Sequence, residues 1–351
     1  MPEIDRLAEA FRDPSVVELM INHDGAVYAE REGARLERLP LAPTAEDSLS
    51  FVRVIVGSAE EFGPARPYAD LSALDGSRVH VIAPPLARGL TVSVRRRPAR
   101  RPTLEQLADG TTLTKAAAGF LDYCVARRLN ILVVGGTSSG KTTLLSALCA
   151  RVPASERVLV LEDTPELSLP QPHVLYLRTR LRDSAGLADV TLRELVVNTL
   201  RMRPDRVIVG ETRGPEAADM LQAMNVGQDG LMSTLHANSP REALARLETL
   251  VLQSGLDMPL RAIRQNIVSA LDFIVLMSRL SDGTRRVLKI SEVTGLELDT
   301  ISMSDLYAAE LKRGASGLEG TLRPLGAMPR FYERLRAAGE EPPLEFFRKE
   351  N

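Results

Sequence analysis

Apolar positions come first in short runs broken by turn residues, and later in continuous runs of four or five. SVVELMINHDGAVY, from Ser15 to Tyr28, holds two apolar runs around His23-Asp24-Gly25 and predicts a β-hairpin, since the glycine supplies the backbone freedom that a tight turn needs. FVRVIVG, SRVHVIAPP and LTVSVRR continue as short runs to about Arg95, and together predict a small α+β domain over residues 1–97. RRRPARRP, Arg95 to Pro102, reads as a solvated linker because paired prolines and clustered like charge disfavour both helix and central strand. The linker is placed at 98–104.

Beyond it, continuous apolar runs alternate with helical spacing. Asn130 to Val134 reads as a buried strand, followed by a glycine turn and a helix carrying Leu144, Leu145 and Leu148 on one face. VLVLE (Val158 to Glu162), VLYL (Val174 to Leu177), RVIVGE (Arg206 to Glu211), LMSTLH (Leu231 to His236) and FIVLM (Phe273 to Met277) are further strands. This βαβ alternation predicts a wound α/β sheet domain over residues 105–300. From about Thr300 to the end, 301–351, the chain reads as helix-prone and is expected to pack as a helical segment on that domain. No internal repeat is visible.

Composition changes this picture mainly by exclusion. Lys+Arg 44 against Asp+Glu 46 leaves a formal charge of -2, so no global field directs the chain to nucleic acid, and with 0 Trp there is little aromatic surface for base stacking. The two cysteines, Cys124 and Cys149, lie in apolar helical surroundings without metal-ligand spacing and read as reduced core residues of a cytoplasmic protein. No apolar run approaches the ~18–20 residues that span a bilayer, and the acidic N-terminus is unlike a signal peptide. Any membrane contact is expected to be peripheral.

Positive charge is almost all arginine, which makes the placement of Lys141 informative. It stands in VVGGTSSGKTTLL, where Gly135-x-x-x-x-Gly140-Lys141-Thr142 satisfies the phosphate-loop pattern between a strand and a helix, the context that gives the pattern meaning. Backbone amides of Gly135, Gly136, Thr137, Ser138, Ser139, Gly140 and Thr143 are expected to cradle phosphate oxygens at a helix N-terminus, with Lys141 on the β- and γ-phosphates and the Thr142 hydroxyl on Mg²⁺. ATP and Mg²⁺ are the cofactors this implies. Such chemistry also needs an acid, and Glu211 is delivered at the carboxyl end of an apolar strand, where ligands of open α/β sheets gather. Glu162-Asp163-x-x-Glu166 is delivered at the end of another. Either acid cluster alone reads equally as a helix cap or a surface turn, and His236, after a further strand, as a satisfied core histidine or a γ-phosphate sensor.

The run from Asn130 to about Leu311 resembles the secretion ATPase superfamily of type II and type IV systems and type IV pili, and most of all the CpaF-like ATPases of tight-adherence (Tad/Flp) pilus assembly. Four motifs carry the resemblance: GGTSSGKTT, LEDTPEL, VIVGETRG and STLHANSPREALARLE. The LSGGQ-type signature of ABC transporters and the NKxD motif of small GTPases are absent. DPSVVELMIN, DGSRV and LTVSVRR resemble the family's N-terminal domain more loosely. The resemblance implies a RecA-like P-loop NTPase domain preceded by a smaller α+β domain, working as a hexameric ring peripheral to the inner membrane. Hydrolysis there moves a membrane platform protein that assembles a pilus or secretes a substrate. It implies Glu211 as the Walker B acid and a magnesium ligand, Asp163 as a magnesium-supporting acid, and Glu162, Glu166 or Glu211 as general base. His236 becomes the motif histidine, and Arg78 and Arg95 become arginines supplied towards nucleotide.

Other readings share these motifs: a conjugation or effector type IV secretion ATPase, a pilus-retraction motor, or a ring scaffold that binds ATP without hydrolysing it. A RecA-type nucleic-acid translocase fits the balanced charge poorly. Two departures from the family pattern stand out. Asp70-Leu71-Ser72-Ala73 puts Ser72 where an arginine is expected, and Gly227-Gln228 puts an amide where a second histidine is common. The chain is also expected to start directly at the N-terminal domain, without the helical leader of many Tad ATPases.

Overall fold

The computed structural model describes residues 2–31, 36–57, 62, 64, 66–96, 102–110, 112–180, 188–314 and 317–348, with the side chains of 313–319 outside that description. The chain forms two compact units, Met1–Arg100 and Arg101–Asn351. The linker expected at 98–104 falls largely outside the described residues; Thr103 already caps the first helix of the second unit.

The first unit contains helix α1 (Glu3–Arg12), strands β1 (Val16–Ile21), β2 (Val27–Arg31) and β3 (Glu37–Leu39), helix α2 (Ala45–Val56), and strands β4 (Tyr68–Ser72), β5 (Arg78–Ile82) and β6 (Thr91–Arg95). Its six strands pair antiparallel in the order β3-β2-β1-β6-β5-β4. The predicted hairpin joins β1 to β2, with Gly25 at φ 79 and the Asn22 amide donating to the Ala26 carbonyl at 2.9 Å. Leu19, Ile21, Val27, Val79, Val81, Val92 and Val94 pack beneath Phe51 and Val52 of α2. A reciprocal capping box between Thr44 and Asp47 starts that helix, and Gly57 in the left-handed region ends it.

The second unit runs α3 (Leu104–Asp109), α4 (Lys115–Ala126), β7 (Ile131–Gly135), α5 (Lys141–Cys149), β8 (Val158–Glu162), β9 (Val174–Arg178), α6 (Leu192–Thr199), β10 (Arg206–Val209), α7 (Glu216–Asn225), β11 (Met232–His236), α8 (Pro240–Leu252), α9 (Leu260–Ala270), β12 (Phe273–Arg279), β13 (Arg285–Glu297) and β14 (Thr300–Ala309). Short strands β15 (Lys312–Gly314), β16 (Gly317–Glu319) and β17 (Leu322–Pro324), helix α10 (Phe331–Ala337) and a 3₁₀ turn at Glu345–Phe347 follow. One nine-stranded sheet has the order β17-β14-β13-β12-β7-β11-β10-β8-β9. From β12 to β9 the strands are parallel, and β13, β14 and β17 extend the sheet antiparallel.

Alternation along each parallel strand feeds two cores. Ile131, Val133, Val158, Val160, Ile208, Phe273 and Val275 face Leu121, Leu144 and Leu148. Leu132, Val134, Leu161, Val207, Val209, Ile274 and Leu276 face Leu221, Leu244, Leu247, Ile263 and Ile267. With both faces covered, the strands read as the continuous apolar runs seen in the sequence.

The C-terminal expectation needs correction. Residues 300–324 are mainly strand, and α10 with the 3₁₀ turn is the only helical part of 301–351 among the described residues. TISMSDLYAA contains good helix formers, but pairing with β13, Tyr307 opposite Ile290, lets it bury Ile301, Leu306 and Tyr307; this tertiary gain overrides a local propensity worth tenths of a kcal/mol. The remaining tail closes over α4 through aromatic packing of Phe331, Tyr332 and Phe347 around Phe120.

Candidate active site

Strands β7, β11, β10 and β8 lie side by side, so their carboxyl ends bring the four sequence motifs to one rim of the sheet. At β7 the chain leaves Gly135, loops through residues 136–140 and enters α5. Gly140 holds φ 97 and Ser138 φ 57, both left-handed, which turns the backbone sharply inward. Gly135 admits no side chain, because a Cβ there would meet the Met277 carbonyl at 2.4 Å and Ser139 Oγ at 2.5 Å. Lys141 is buried, and its ammonium donates to the Gly136 carbonyl at 2.9 Å, folding the side chain back over the loop. Thr142 and Thr143, half-buried, lie in the first turn of α5, where a helix leaves amides without intrahelical acceptors. Ser139 Oγ is buried with no hydrogen-bond partner among the described residues.

Beside the loop stands an acid network. Glu211, two residues past β10, pairs through one carboxylate oxygen with His236 Nε2 at 2.9 Å and through the other with Arg213 at 2.8 Å. The Arg213 Nε also lies 3.3 Å from Asp163. One arginine therefore joins the acid after β10 to the acid after β8. Sequence reading missed Arg213, although it stands in the quoted VIVGETRG. Burial, then the Lys141 charge, holds the His236 imidazole below its ordinary range, with Glu211 opposing them. A neutral ring donating through Nε2 to Glu211 fits this environment.

The acids divide by what surrounds them. Glu162 is buried, and its Oε1 accepts from the amides of Glu166 and Leu167, both at 2.9 Å. Its carboxylate thus holds the turn that carries Asp163 and Glu166. Gly210 makes room for it, since a Cβ there would come within 2.9 Å of Glu162 Cγ. Glu216, also missed from sequence, caps the amides of Arg213 and Gly214 at 2.7 and 2.8 Å and so fixes the arginine's backbone. Hydroxyls clasp the Glu211 and His236 segments together: Thr212 Oγ1 meets Ser233 Oγ at 2.8 Å, and Thr234 Oγ1 donates to the Gly210 carbonyl at 2.8 Å.

Arg78 and Arg95 belong to the first unit, opposite one another across β5 and β6, with Arg95 Nε 3.7 Å from Glu18. Ser72 pairs with Arg78 across β4 and β5. Gln228 sits in the turn after α7, its backbone N–H donating to the Ala223 carbonyl at 3.1 Å.

A left-handed loop at a helix N-terminus and a buried lysine folded over it suit a polyphosphate. Among the described residues no cluster of three His, Cys, Asp or Glu side chains is placed to hold a metal ion. That is compatible with Mg²⁺, which takes one or two protein oxygens beside substrate phosphates.

Comparison with known proteins agrees. Residues 73–314 match the family model described as type II/IV secretion system protein. The chain is 32% identical over 301 residues to the conjugal transfer protein TrbB of Rhizobium radiobacter, covering 83% of this chain and 88% of that one. Protein VirB11 of Agrobacterium fabrum is also 32% identical over 301 residues, covering 77% and 86%. In fold, the solved ATPase DotB of Legionella pneumophila aligns with a TM-score of 0.57 at 19% identity, over 84% of this chain and 81% of that one. The chain therefore belongs to the type II/IV secretion system protein family, as one of its ATPases.

Proposed function

We propose that this ATPase binds Mg-ATP at residues 135–143 and, as a ring of six copies peripheral to the inner membrane, drives a membrane platform protein that assembles a Tad-type pilus. The observation that carries the chemistry is the convergence of Lys141, Glu211, Arg213 and His236 on one rim. ATP with Mg²⁺ would supply the transferable phosphoryl group and a cation that offsets its charge. The loop amides orient the phosphates, Lys141 neutralises developing charge, and Thr142 and Glu211 hold the metal side. Of the candidate bases, Glu211 is our assignment for orienting and deprotonating water, because Glu162 is taken up by two amides. Asp163 and Glu166 support the metal side, and His236 reports the terminal phosphate to α8. Arg78 and Arg95 are proposed as the first unit's contribution to charge stabilisation. Among the described residues no helix is long and apolar enough to cross a membrane, which suits a peripheral motor.

A conjugative type IV machine is the second reading, favoured by relatives named for conjugal transfer. Neighbouring genes encoding pilins support the first reading, and genes encoding channel subunits support the second. For the shared chemistry, Lys141→Ala is expected to lower phosphate release by at least ~10²-fold, the scale of losing one preorganised charge donor. Undiminished turnover in that variant would falsify the phosphate-cradle assignment.

A further inference from the structure

The motifs of the acid side leave one contact to the phosphate loop unexplained. It comes from the opposite side of β7, where β12 and β13 form a hairpin through residues 280–284. Arg285, the first residue of β13, donates from Nε to the Ser138 carbonyl at 3.0 Å. The same hairpin touches the loop at both ends. Met277 pairs with Gly135, and a Cβ on Gly140 would meet Met277 Cε at 3.1 Å and Arg285 Cδ at 3.2 Å. Ser138 is one of four non-glycine residues with positive φ among those described. Such a residue persists only where its surroundings over-determine it.

We propose that Arg285 is a positioning residue of the phosphate loop, holding Ser138 in its left-handed state through its carbonyl. The inference rests on the nucleotide-binding reading above. A peptide plane is rigid and its C=O and N–H point in opposite directions, so fixing the Ser138 carbonyl also aims the Ser139 amide. Arginine suits this task because its guanidinium is a rigid planar donor, whereas lysine offers a point charge on a flexible stem. The clamp acts on the loop before any ligand arrives, so it raises affinity by sparing the ligand the cost of ordering the loop.

The test is equilibrium binding of Mg-ATP and of inorganic tripolyphosphate to the full chain and its variants. Arg285→Ala is expected to weaken both ligands by the same factor, about ten- to a hundredfold, the span set by releasing one strained residue. KM rises by that factor while kcat is kept, and Arg285→Lys recovers only part of the loss. Adding Ser138→Gly to Arg285→Ala is expected to restore most of the affinity, since glycine takes positive φ at no steric cost. Unchanged affinity in Arg285→Ala, with wild type binding normally, overturns the clamp alone. A defect that Ser138→Gly leaves untouched also overturns it, because the arginine then acts on the ligand directly. Wild-type protein that binds neither ligand overturns the nucleotide reading and the clamp together. Should Arg285→Ala fail to fold, Arg285→Gln beside Arg285→Lys carries the same comparison.

Discussion

Strand β10 carries an arginine and carboxylate pair near each of its ends, and the two pairs live in different surroundings. At the amino end, Arg206 donates to Glu156 at 2.6 Å and to the Val125 carbonyl at 2.6 Å, with side-chain exposures of 0% and 10% for the two charged partners. Past the carboxyl end, Arg213 meets Glu211 at 2.8 Å, with exposures of 55% and 25%. The chemistry of the two pairs is the same. In the low dielectric of the first, separation is costly, and the second Glu156 oxygen is held by Arg128 at 3.1 Å, so the cluster is architecture. Packing reinforces it: a Cβ on Gly230 would come within 2.2 Å of Arg206 Nη1. In the second, solvent exposure and the neighbouring Asp163 and His236 share both partners, so exchange for the phosphate and metal proposed above would cost little. Burial, more than pairing, separates the structural ion pair from the one proposed to act on nucleotide.

The contrast breaks most sharply at Glu156. Glu156→Ala strands a buried guanidinium and is expected to lose about 3–5 kcal/mol in urea unfolding; a loss under about 1 kcal/mol would mean that the amino-end pair is not architecture. Glu211→Gln is expected to keep ATP binding and thermal stability while phosphate release falls by roughly 10²–10³-fold. If unfolding changes and turnover does not, the roles of the two ends are reversed.

A smaller effect tests, through pH, what burial does to a carboxylate with no arginine side chain within ion-pair distance among the described residues. Glu292 of β13, opposite Phe273 at the start of β12, is buried and accepts from the Arg330 amide at 2.7 Å, while its other oxygen has no partner among the described residues. Burial is the main force raising its pKa from 4.5 to about 7. The folded state therefore keeps a proton that the unfolded chain releases earlier. The contribution is full below pH 4.5 and is lost as pH rises through about 7, on the order of 3 kcal/mol. Glu292→Gln should remove that slope in unfolding measured against pH. The smallest effect belongs to His236, whose pKa is lowered from 6.5 chiefly by burial. Here the unfolded chain binds the proton more readily, so stability falls as pH drops below 6.5, in a shallow slope that His236→Gln should flatten.

The phosphate loop, the acid at Glu211 and the wound sheet were legible because each is written in contiguous residues: a glycine spacing, an apolar run, an acid at its end. What surrounds them was not. Arg213 stands two residues from Glu211, yet its bridge to Asp163 needs β8 beside β10. Glu162 and Asp163 are adjacent and look alike as acids, but one is buried and taken up by backbone amides while the other faces the arginine. The strands after Thr300 were misread as helix because their pairing partner, β13, supplies the burial that decides them.

The sequence by itself determined the type II/IV secretion superfamily, though not the Tad branch within it, and the parallel sheet with a glycine loop between β7 and α5, since turn geometry and two-faced burial each require particular residues at particular spacings. Tertiary structure alone decided which acids are exposed beside the loop, which arginines reach them, and that Arg285 grips Ser138 from 147 residues away. Those outcomes depend on which strands become neighbours, and strand order is a property of the packed sheet that no local run of residues encodes.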